Sequence, residues 1–152
     1  MKNFYKGFLC LSLFTASYNL IAQTVPVREP DYNKPLLFQL LPQRIQINTN
    51  SLEQLLTNES GNQISFPLTQ NVNLIGTVTS VGKTDPLVES IMVRLTNFND
   101  AGLFISKVLR PDGTNYYNGR ILSLKNGDAY EIIFDHGIYY FEKKGFYDLL
   151  NE

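Results

Sequence analysis

The chain has 152 residues, with 13 Lys plus Arg, 14 Asp plus Glu, one His, one Cys and no Trp. That length suits one domain with a packed core, and a 43% hydrophobic, 18% charged composition is globular rather than disordered. The near-neutral balance removes the basic field that nucleic-acid binding needs, and one His and one Cys leave little material for a zinc site, a thiol enzyme or a Ser-His-Asp triad.

Residues 1–22 read as a secretory signal. Lys2 and Lys6 form a basic n-region, residues 7–16 are apolar, and Ala22 supplies the small residue before the cut. The apolar run is shorter than the roughly 20 residues a spanning helix needs. Cys10 follows Phe8 and Leu9 near the start of that run, which is not the setting of a lipid-attachment cysteine. Removing Lys2 and Lys6 from the 13 basic residues leaves 11 against 14 acidic ones, a net charge of −3, and no cysteine remains. The expected product is exported, secreted or periplasmic, disulfide-free, and without a transmembrane segment after cleavage.

Residues 23–42 hold Pro26, Pro30, Pro35 and Pro42, which favour an extended tether over helix or central strand. Within it, residues 36–41 are apolar and are expected to dock on the body. Residues 43–152 form the β-rich domain. Ile45 and Ile47 mark a short strand, and Ser51 with Gln54 matches a capping box opening a helix over 51–58, with Leu52, Leu55 and Leu56 on one face. Gly61 ends that helix or the turn after it.

Strand-like runs then recur at 63–68, 72–81, 88–98, 103–110, 116–125, 129–134 and 138–143, separated by turn signals at 99–102, 111–114, 126–127 and 135–137. Short connections make antiparallel neighbours, so the fold expected is mainly β, with α+β as a variant. It is an antiparallel meander of about five to seven strands, curled into a half-barrel, with the 51–58 helix and the tail 146–150 as covers. A type I′ hairpin at Asn126-Gly127 would set Ser123 opposite Tyr130 and Ile121 opposite Ile132.

Chemistry-bearing residues are sparse. His136 sits in a turn signal with no patterned partner, and Asn97–Gly102 resembles an EF-hand start but has Ala101 and Val108 at ligand positions. Glu131 and Glu142 face each other only if the 135–137 loop has two residues; a retaining glycosidase needs carboxyls about 5 Å apart. Arg120 and Lys143 are their neutralising neighbours. Aromatics are the richest feature, and Tyr116, Tyr117, Tyr139, Tyr140 and His136 are the expected exposed binding candidates, with Tyr116 and Tyr117 foremost. The leading expectation is an exported, non-enzymatic module that binds another protein or an envelope component, with no nucleic acid, cofactor or metal. A carboxylate hydrolase using Glu131 and Glu142, and a β-barrel carrier of a small apolar ligand, are the alternatives.

Overall fold

The computed structural model describes residues 31–150; the signal segment, Cys10, residues 23–30 and the last two residues lie outside them. In chain order the elements are β1 (Arg44–Gln46), α1 (Thr49–Leu56), β2 (Gln63–Pro67), β3 (Asn73–Asp85), β4 (Val88–Leu95), β5 (Gly102–Leu109), β6 (Asn115–Leu122), β7 (Asp128–Asp135), β8 (Ile138–Gly145) and a 3₁₀ turn (Asp148–Leu150). They form one eight-stranded antiparallel sheet ordered β1-β8-β7-β6-β5-β4-β3-β2. From β2 to β8 it is the expected meander; β1, three residues long, adds to the far side of β8.

The sheet curls into a half-barrel whose concave side is the core. Alternation along each strand sends Val78, Ile91, Val93, Leu95, Leu103, Ile105, Ile121, Tyr130 and Phe141 inward, all essentially inaccessible. Phe66 on β2 meets Phe141 on β8 at 6.3 Å between centroids, nearly edge-on, so opposite ends of the sheet share one interior. Helix α1 adds Leu52, Leu55 and Leu56. This packing fills the space that an apolar-ligand carrier would need to keep open.

The helix begins earlier than the Ser51–Gln54 pattern suggests. Ile47 N–H is bonded to Tyr139 O on β8, and Asn48 caps the helix with Oδ1 accepting from Asn50 N–H at 2.9 Å. Tied to the strand edge up to residue 47, the chain can turn at once into helix, so an Asn carboxamide takes the cap in place of Ser51. Gly61, at φ +91°, belongs to the turn after the helix.

Two hairpins exchange roles relative to expectation. His136 (φ +48°) and Gly137 (φ +83°) form the two-residue turn, setting Asp135 opposite Ile138. At Asn126-Gly127 no such turn forms. The ladder instead pairs Ile121 with Tyr130 and Leu122 with Ala129, a two-residue shift from the expected register that keeps every side chain on its expected face. The reason is tertiary: Asn126 Nδ2 and Gly127 N–H both donate to Pro35 O, at 3.1 and 3.0 Å, so this loop serves the preceding segment.

That segment, the described part of the expected tether, has no helix or strand but is bound throughout. Leu37 and Phe38 N–H donate to the two oxygens of buried Asp128, at 2.5 and 2.9 Å. Lys143 Nζ donates to Phe38 O and Leu41 O, and Phe38 is fully buried against Tyr130 and Phe98. Tyr130 hydroxyl donates to Pro42 O; burial, then Asp128, pushes that phenol up to about 12. At its start, Asp31 N–H donates to Tyr147 hydroxyl, and Lys34 lies over the Phe146 ring at 4.7 Å. Residues 31–42 are thus a strap clasped by the C-terminal tail.

Candidate functional site

The convex face of the sheet is patterned in rows, because antiparallel register sets outward side chains directly opposite one another. One row runs Ser80, Met92, Phe104, Arg120, Glu131; the next runs Gly82, Ser90, Ser106, Asn118; a third runs Val88, Val108, Tyr116. The middle row is small and polar, and its neighbours are bulky. The result is a trough crossing four strands. Met92 and Phe104 remain 47% and 39% exposed, whereas Ser106, on the floor between the ridges, is 7% exposed. At Gly82 an added Cβ would stand 2.5 Å from Ser90 Oγ, so a side chain there would push that hydroxyl out of its present position on the floor.

At its other end the trough meets a break in the sheet. β5 and β6 share eight registered pairs, as do β7 and β8, but β6 and β7 share three, ending at Arg120 opposite Glu131. Beyond that pair Tyr117 N–H donates at 3.3 Å to the hydroxyl of Tyr139, reaching over from β8. A phenol fills the acceptor position a continuing ladder would have filled from β7. The split leaves a groove of about 390 Å³ lined by Phe104, Tyr116, Asn118, Gly119, Arg120, Glu131 and Ile132.

Arg120 Nε and Nη2 both donate to Glu131 Oε1, at 3.1 and 3.0 Å, a neutral pair that closes the groove. Among the described residues Asn118, Ser90 and Ser106 make no side-chain hydrogen bond, so their polar groups are uncommitted. Arg110 lies 4.2 Å over the Tyr116 ring and fixes its orientation.

The five expected binding residues separate into two places. Tyr116, Tyr117 and Tyr139 converge at the split, with centroids 5.3 Å (Tyr117–Tyr139) and 6.4 Å (Tyr116–Tyr139) apart, joined by Phe134 at 4.7 Å from Tyr139. Tyr117 and Tyr139 are buried, contrary to the exposure expected, because both fall on the concave side of the alternation. Tyr117 hydroxyl donates to Glu53 on α1, whose other oxygen accepts from Lys107, itself paired with Glu89. Burial and then Glu53 raise the Tyr117 phenol above its usual range. Burial works against ionised Glu53, but Tyr117 and Lys107 outweigh it and hold the carboxyl below 4.5. This cluster fastens the helix to the sheet.

Tyr140 and His136 lie elsewhere. Tyr140 stacks under Arg44 at 4.8 Å, and exposed His136 approaches Asp135 at 2.5 Å. Arg44 spans Asp135 and Glu142 and, with His136, holds Asp135 below its ordinary value.

The carboxylates do face each other, Glu131 opposite Glu142. Each is engaged by cations: Glu131 by Arg120, Glu142 by Arg44 and Lys144. Burial lifts the Glu142 carboxyl, but Lys144 and Arg44 outweigh it and keep it below 4.5, the reverse of what a general acid requires. No group of three or more His, Cys, Asp or Glu placed to hold a metal occurs among the described residues, and none of their helices is long and apolar enough to cross a membrane.

The trough itself was missed in the sequence because Phe104, Ser106 and Asn118 carry no motif. The usable signal was the turn at 99–102: registering 88–95 against 102–109 across it would have aligned Met92 with Phe104 and Ser90 with Ser106. Comparison with protein-family models, with curated proteins and with solved structures found no match.

Proposed function

We propose that this chain is an exported, non-enzymatic binding module that engages an envelope component through the convex face of its half-barrel. The observation that carries the reading is the outer-face trough: exposed Met92 and Phe104 flank an uncommitted polar floor, and a groove opens at its end. A sheet face turned to solvent needs no such order for folding; exposed apolar side chains arranged around convergent polar groups are the make-up of a binding site. Export is supported by the basic and apolar pattern of residues 1–22. A non-catalytic role is supported by the cation-paired state of both facing carboxylates.

The test is a photo-cross-linking residue placed at Met92, with a control at Lys125 in the β6–β7 loop, in cells exporting the protein. The expected outcome is a discrete adduct from position 92 and none from 125. Equal labelling at both positions, or substrate turnover lost on Glu131→Gln, would overturn it.

A further inference from the structure

We infer that the trough is a saccharide site, taking a short neutral oligosaccharide laid across strands β3 to β6. The inference rests on the binding-module reading above and adds the chemical class of the ligand.

A sugar ring has two apolar C–H faces and a rim of hydroxyls that both donate and accept. A matching site offers flat apolar surface beside groups with the same double capacity. Phe104 supplies an exposed ring at one wall, and Tyr116, held in place by Arg110, supplies a second at the other. Between them the floor offers the hydroxyls of Ser90 and Ser106 and the amide of Asn118, each able to donate and accept. None is spent within the described protein.

Charge selects against other small ligands. The ionic side chains that line the groove, Arg120 and Glu131, are bound to each other and cancel, while Arg110 stands behind the Tyr116 ring with Asp112 as its charge neighbour. An anionic ligand such as a phosphate would meet the carboxylate, and a cation would meet the guanidinium. A neutral polyol meets both favourably, accepting from Arg120 and donating to Glu131, whose Oε2 accepts no other hydrogen bond among the described residues. Size agrees: four strands about 4.8 Å apart make a trough about 14 Å long, which suits several rings rather than one.

A peptide strand fits less well. An inserted strand would anchor on the unpaired β6 edge, yet Tyr117 N–H is already given to Tyr139. The outer edges are guarded too: β1 has three residues, β2 ends in Pro67, and the part of β3 that runs past β2 is bulged, its pairing with β4 irregular between Val78 and Ser80 and again between Gly82 and Asp85.

The experiment is calorimetric titration of the exported protein with N-acetylchitotriose, cellotriose and maltotriose, each to about 10 mM, well above the millimolar constants typical of a shallow site. At least one should bind. Phe104→Ala and, independently, Asn118→Ala should each weaken it about tenfold, and Lys125→Ala should leave it unchanged; circular dichroism checks that each variant is folded. No binding by any of the three sugars, or binding indifferent to Phe104→Ala and Asn118→Ala, overturns the inference. If the sugars fail but cross-linking at Met92 still captures a defined protein, the saccharide assignment falls while the binding-module reading stands. If both fail, the reading falls with it.

Discussion

The two faces of this sheet are built from the same strands and obey opposite rules. The concave face carries the core: Ile91, Val93, Leu103, Ile105 and Ile121 are closed off, and polar groups there, such as Tyr117 with Glu53 and Lys107 with Glu89, are paired. On the convex face, one residue away along each strand, Met92 and Phe104 are left to solvent around hydroxyls and an amide that nothing engages. The concave face accounts for the fold. The convex face has an order that folding does not require, and that is where a functional explanation is due.

Substitutions should separate the two faces by size of effect. Leu52→Ala or Phe38→Ala, both fully buried, should cost about 3–5 kcal/mol in denaturant unfolding, since each leaves a cavity in the shared interior. Asp128→Ala comes next, at about 3 kcal/mol, because it strands two N–H groups that now donate to a carboxylate. It should also expose residues 31–42 to limited proteolysis; an unchanged cleavage pattern would mean that Phe38, Lys143 and the bonds to Pro35 and Pro42 hold the strap without Asp128. Phe104→Ala and Asn118→Ala should each shift stability by less than about 1 kcal/mol. A convex-face substitution as costly as Leu52→Ala would erase the distinction.

Titration sharpens the same contrast, because both informative groups sit on the concave side. Glu53 is held below 4.5 in the folded state, so its stabilising contribution is present above that value and is lost as pH falls through the folded value. The acid limb of a stability–pH curve should therefore flatten in Glu53→Gln. Tyr130 is raised from 10.0 to about 12, so folding loses stability as pH climbs from about 10 towards 12. Tyr130→Phe should reduce that alkaline loss, read as the pH at which half the protein unfolds, and the part that remains should fall with Tyr117→Phe, whose phenol is raised as well.

The sequence exposed the sheet more readily than the site, for physical reasons. Strand positions follow from local alternation, and each run from 63 to 143 became a strand. Turn chemistry was less reliable: Asn126-Gly127 has the stronger hairpin composition, but Pro35 O recruits both its donors, and the I′ turn formed at His136-Gly137. The apolar run 36–41 is expected from its composition to dock on the body, and Phe38 does so; its anchor, the buried Asp128 some 90 positions later, is beyond any local reading. The trough depends on register across three hairpins at once, so no short window around Phe104, Ser106 or Asn118 could contain it. Tyr116 alone among the candidate aromatics lies on its wall.

The division between the faces is tested most directly by amide chemical-shift mapping of the exported protein with the best-binding of the three oligosaccharides. The account predicts saturable shifts confined to residues at 80–82, 90–92, 104–106, 116–120 and 131, with the strap and the concave-side Tyr130 unmoved. Shifts centred on the strap or the hairpin tip at His136, or none at saturating sugar, would contradict it.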